Sequence, residues 1–123
     1  MARVTLVPNP LIINGGLVDP LGVLSVAGAG NGFTVAAPGR RSLFFRVYNA
    51  TAGAGTVSIL AGSFPLAPSS GLGPVTAPVG AAGTSWIGPV DSARCIQADG
   101  SLTIETSAAM TVTAFTIDGK YVG

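Results

Sequence analysis

The segment 42–49, reading Ser-Leu-Phe-Phe-Arg-Val-Tyr-Asn, constrains the fold of this chain more than any other. In an extended strand Leu43, Phe45 and Val47 fall on one side, and Phe44 and Tyr48 fall on the other with Arg46 between them. A strand that is apolar on both faces must be covered twice. The Gly-rich run 50–55 and the apolar segment 56–60 after it suggest a central hairpin. Val57, Ile59, Trp86, Ile87, Ile96, Leu102, Ile104, Val112 and Phe115 are the expected filling of one sandwich interior. The second face has no obvious partner in the chain except the N-terminal segment. It is expected either to lie under residues 1–30 or to carry another subunit.

The rest of the chain is punctuated by Gly and Pro. Residues 1–30 hold short apolar bursts broken by Pro8-Asn9-Pro10, Asn14-Gly15-Gly16 and Asp19-Pro20, with Arg3 and Asp19 the only charges. They read as an extended arm or as edge strands. The run Gly28-Ala29-Gly30-Asn31-Gly32 reads as a turn into a strand ending near Val35. It lacks the spacing of a nucleotide-binding loop, and Phe33-Thr34-Val35 after it reads as strand and not as a helix start. Residues 61–82 read as a long loop rich in Gly and Pro. Strands are expected at 83–87, 93–97, 102–106 and 110–117, with Asp99-Gly100 as a turn. No 11-residue window carries a helical period, so little or no helix is expected. Short strands at this spacing indicate one all-β domain over residues 1–123, an antiparallel β-sandwich or barrel-like fold with its core at 32–117.

The residues exclude much chemistry. The chain has no His, which removes Ser-His-Asp and Cys-His catalysis and His-ligated metals. Its five carboxylates are dispersed, so no glycosidase pair or Ca²⁺ loop can be assembled from spacing. A lone Cys95 reads as a small core residue, and Arg94 beside it points to the opposite face if the two lie in a strand. Net charge is +1 and the basic residues are scattered, which provides no nucleic-acid patch. No apolar run is long enough to span a bilayer, and Pro8 and Pro10 interrupt any signal-peptide core, so synthesis in the cytosol is expected. No enzyme activity, cofactor, metal or small-molecule substrate is expected. Only 9% of residues are charged while 48% are hydrophobic, against the ~25% charged of ordinary soluble chains. A surface of that kind is either coated with small residues or buried in an assembly. Trp86 reads as a core or rim aromatic, an interface anchor or a sugar platform.

The order of these pieces carries a resemblance. Arg41-Ser42-Leu43-Phe44-Phe45-Arg46-Val47-Tyr48-Asn49 leaves through small residues into Thr56-Val57-Ser58-Ile59. Next come Gly83-Thr84, Ile87-Gly88-Pro89, Asp99-Gly100-Ser101-Leu102-Thr103-Ile104 and Val112-Thr113. Over residues 32–117 this resembles small all-β virion proteins of tailed bacteriophages, of the head decoration or capsid cement type. The resemblance implies a homotrimer on the capsid exterior, made in the host cytoplasm, that touches the major capsid protein and neither DNA nor membrane. Residues 1–30 and 61–82 would make the contacts. The expected interface residues are Arg3, Leu11, Ile12, Arg40, Arg41, Phe64, Leu66, Leu72 and Trp86. A phage tail or fibre module, a carbohydrate-binding sandwich and an adhesin-like subunit are the alternatives. The first two would show exposed aromatics or a Ca²⁺ site.

Overall fold

In the computed structural model, residues 3–12, 15–36, 42–62, 70–90 and 92–118 are described. Arg40, Arg41, Phe64 and Leu66 lie outside them, as does the side chain of Ile12. Among the described residues ten strands form: β1 (Val4–Thr5), β2 (Asn9–Ile12), β3 (Val23–Leu24), β4 (Phe33–Val35) and β5 (Ser42–Tyr48), then β6 (Gly55–Ile59), β7 (Val75–Val79), β8 (Thr84–Ile87), β9 (Leu102–Thr106) and β10 (Thr111–Asp118). They make two packed sheets. The first has the order β1-β4-β9-β6-β7 and the second β2-β10-β5-β8. β3 shares the free edge of β10 with β2, since Val23 and Leu24 face Val112 and Thr111 while β2 faces Phe115–Asp118. Pairing is antiparallel except where β1 joins β4 and β2 joins β10, so both sheets are mixed.

From β3 onward every connection crosses from one sheet to the other, apart from the β6–β7 hairpin. The order 3-10-5-8 against 4-9-6-7 is jelly-roll connectivity, a sandwich with open edges and not a closed barrel. The expected all-β sandwich is therefore present. The expected central hairpin is not. β5 pairs with β10 and β8, whereas β6 pairs with β7 and β9. Leu43, Phe45 and Val47 in β5 and Val57 and Ile59 in β6 are all buried, and these faces cover one another across the interior instead of lying side by side.

The link between them is an arch built on Asn49. This fully buried amide donates from Nδ2 to the Gly53 carbonyl at 2.8 Å and the Val79 carbonyl at 3.4 Å. Its Oδ1 accepts from the Thr51 amide at 3.0 Å and the Thr51 hydroxyl at 2.6 Å, an Asx turn that satisfies a buried polar group locally.

Three further expectations are corrected. Residues 61–82 are not all loop, because β7 fills 75–79 with Val75, Ala77 and Val79 turned inward. Pro78 is tolerated because β7 is an edge strand, where a missing amide donor costs no ladder bond. Residues 93–97 are not a strand. Ser92–Cys95 form a single helical turn, α1, which places Cys95 fully inside the core. Trp86 is exposed instead of filling the interior, and Phe115, although buried as expected, is buried on the other side of its sheet. Ile87 faces inward opposite Phe45, and Val112 and Ala114 face inward from β10, so strand alternation sends Trp86 and Phe115 to the outer face. Ile96 is only half-buried, whereas the remaining expected core residues are buried.

The arm belongs to the sandwich. Leu6, only 3% exposed, joins the core, and its amide donates to the Thr34 carbonyl at 2.9 Å. Ser25 is buried at the β9–β10 arch. Its hydroxyl lies 2.6 Å from the Thr106 hydroxyl at the end of one sheet and accepts from the Met110 amide at 3.0 Å at the start of the other.

Candidate interaction face

The two sheets present different outer faces. The first turns Thr34, Thr56, Ser58, Thr76, Pro78, Thr103 and Glu105 outward, mostly hydroxyl-bearing residues, with Thr103 buried and Arg3 laid against Glu105. The second turns out Phe44, Arg46 and Tyr48 from β5, Thr84 and Trp86 from β8, and Thr111, Thr113, Phe115 and Ile117 from β10. On that face Phe44 stacks on Phe115 with centroids 5.3 Å apart, and Trp86 lies 5.9 Å from Phe44 and 5.7 Å from Phe115. The Arg46 guanidinium sits 5.7 Å from the Phe115 ring centre and 6.0 Å from that of Trp86, within cation–π range.

The N-terminal arm crosses this face. Arg46 donates to the Asp19 carboxylate, to the Pro20 carbonyl at 3.0 Å and to the Thr113 hydroxyl at 3.3 Å. Gly22 passes so close to Thr111 and Thr113 that a Cβ there would overlap their side chains, so a larger residue would force those side chains or the strap to shift. The strap covers part of the face and leaves the rest open. Trp86 stays 59% exposed and Tyr48 is exposed as well. Between strap and sheet is a shallow hollow of about 380 Å³ lined by Asp19, Pro20, Leu21, Gly22, Arg46, Tyr48, Thr84 and Thr111.

The arm also carries outward apolar side chains. Among the described residues, Val4, Val7, Leu17, Val18, Leu21, Val23, Leu24 and Val26 are exposed, with Leu21 at 96% and Val18 at 89%. Of the large apolar side chains in the rest of the described chain, only Tyr48, Leu72, Trp86 and Ile117 join them. Of the expected interface residues, Leu72 and Trp86 are exposed. Leu11 is half-buried in β2 beside Ile117. Arg3 is engaged within the molecule: it donates to the Glu105 carboxylate, with both side chains mostly buried. The exposed valines and leucines of the strap and the role of Asp19 were not singled out from sequence. Their one signal there is a run of apolar residues among Gly and Pro that keeps neither a two-residue nor a helical period.

The glycine turn at 28–32 holds an anion of its own. The Gly30 amide donates 2.8 Å to the same Glu105 oxygen that Arg3 holds, and the Gly28 amide donates 2.9 Å to the Thr106 carbonyl. The backbone positions at 28, 30 and 32 all have positive φ. Asp99 accepts from the Ser101 hydroxyl at 2.6 Å and the Ser101 amide at 3.0 Å, which hold its carboxyl below the ordinary value. Asp19, Glu105 and Asp99 are thus each engaged by protein donors. No group of three His, Cys, Asp or Glu able to hold a metal occurs among the described residues. No helix among them is long and apolar enough to cross a membrane.

No family model, curated protein or solved structure matches the chain.

Proposed function

We propose that the protein is a non-enzymatic virion component, a capsid decoration protein. In this reading it seats on the outside of a tailed-phage head and strengthens the shell through contacts with major capsid subunits and its own copies. The observation that carries the reading is the concentration of exposed apolar side chains on the N-terminal arm, which is tied to the sandwich by Leu6, Ser25 and Asp19. Fully burying a Val or Leu side chain contributes roughly 1.5–3 kcal/mol, so several of them together offset an association cost of roughly 4–15 kcal/mol. A jelly-roll frame suits this role because viral shell proteins commonly use it to present loops and arms from a rigid core. Fold alone does not assign function, and the arm is the stronger support.

Cementing is differential binding. A protein that binds the assembled, expanded lattice and not free subunits stabilises the lattice by its binding free energy. Three copies around one axis would add effective concentration.

The test is co-sedimentation with emptied phage heads, expanded and unexpanded, alongside light scattering for the oligomeric state. Binding to expanded heads as a trimer is expected. Deleting the arm would also remove the core residue Leu6, so the informative variant is Val18→Ser with Leu21→Ser, which leaves the interior intact and should abolish sedimentation. Wild-type protein that stays in the supernatant with expanded heads would sink the reading.

A further inference from the structure

We propose that the outer face around Trp86 and the neighbouring hollow is a binding site for a neutral sugar ring of a glycan. Trp86 is exposed, yet its ring is held by Phe44 and Phe115 and flanked by Arg46, so it offers a rigid aromatic plate. Tyr48 is a second exposed aromatic on the adjacent strand, opposite Thr84, as Arg46 is opposite Trp86. The hollow between Tyr48 and the strap, about 380 Å³, lies at the lower end of the ~300–1,000 Å³ typical of small-molecule sites.

The chemistry around it is that of a sugar site. A pyranose presents C–H groups on its faces and hydroxyls at its rim. An aromatic plate takes the former, and a carboxylate, a guanidinium and the hydroxyls of Thr84 and Thr111 take the latter. Asp19 keeps 77% of its side chain exposed after accepting from Arg46. Charge selects among ligands. Arg46 and Asp19 neutralise each other, and the other described outward residues of this face are uncharged, so an acidic or basic ligand finds no counter-charge.

Trp86 is the only tryptophan in the chain, so its fluorescence reports on this site directly. The experiment titrates the full-length protein with maltohexaose, cellohexaose and a galactan hexasaccharide, with sialyllactose as the acidic comparison. A saturable change in Trp86 emission with at least one neutral oligosaccharide is expected, and none with sialyllactose. Tyr48→Ala and Asp19→Ala should each weaken binding about tenfold, the equivalent of about 1.4 kcal/mol. Thr84→Lys, at an exposed edge-strand position that fills the hollow without touching the core, should abolish it. Absence of any saturable response up to roughly 10 mM neutral sugar, a threshold near −3 kcal/mol, would overturn the proposal. So would undiminished binding by folded Thr84→Lys, or equal binding of sialyllactose. Head binding is read by sedimentation, so either proposal can fail while the other stands.

Discussion

The guanidinium of Arg46, on the central strand, donates to the carboxylate of Asp19 in the N-terminal arm, and this pair holds the strap across the aromatic face. Asp19 is the exposed partner and Arg46 the sheltered one, so their loss should be unequal. Asp19→Ala removes a largely solvated ion pair and should cost about 0–1 kcal/mol. Arg46→Ala also removes the bonds to Pro20 and Thr113 and the packing over Phe115, and should cost about 1–3 kcal/mol. Urea unfolding of the two variants measures the difference. Equal losses would mean that Arg46 acts through the ion pair alone.

Leu6 joins the core from the arm. Leu6→Ala should destabilise by about 2–5 kcal/mol, the range for emptying a buried leucine site. A loss in urea below about 0.5 kcal/mol, the size of a surface substitution, would show that the arm leaves the sandwich in solution.

Gly32 and Gly100 share a positive φ, +91° and +85°, and differ in their surroundings. A Cβ at Gly32 would overlap the Ile104 carbonyl, whereas nothing lies within 4 Å of one at Gly100. Gly100→Ala should therefore cost about 1–2 kcal/mol from the left-handed backbone alone. Gly32→Ala should cost clearly more, because β4 must separate from β9 to admit the methyl group. Thermal unfolding of both proteins compares the two; similar melting temperatures would mean that the close strand approach at Gly32 carries no extra cost.

Ser101 lowers the Asp99 pKa through its hydroxyl and its amide. The folded value lies below the unfolded one, so the stabilisation is present above the unfolded carboxylate value. It is lost as pH falls through the folded value. Ser101→Ala should raise the Asp99 pKa toward the ordinary value, as followed by carboxyl chemical shifts against pH. An unchanged titration would assign the shift to something other than the Ser101 hydroxyl.

Much of the architecture is legible in the chain itself. The alternation in 42–48 and in 102–106 specified which side chains point inward, since successive residues of a strand face opposite ways. Asp99-Gly100 specified its turn because a carboxylate accepts from the residue two positions on and glycine accepts a positive φ. Phe44, Arg46 and Tyr48 were expected to lie under the N-terminal segment or to carry another subunit; Asp19 and Pro20 cover Arg46, while Tyr48 stays exposed.

Partnership was decided by the tertiary structure. Whether β5 and β6 pair edge to edge or face each other depends on backbone donors and side-chain burial being satisfied throughout the sandwich at once. The same alternating pattern fits both arrangements, and the buried amide of Asn49 stabilises the arch. Residues 93–97 went to a helical turn because Cys95 could reach the core that way, a demand of the surroundings and not of local propensity. Trp86 and Phe115 reached the outer face because Ile87 and Ala114 beside them face inward, a parity set by strand register. The sequence by itself determined a two-faced β-sandwich chain with an apolar arm. Register and sheet assignment, which depend on long-range pairing, decided that its sole tryptophan lies in the open beside an arginine–aspartate pair.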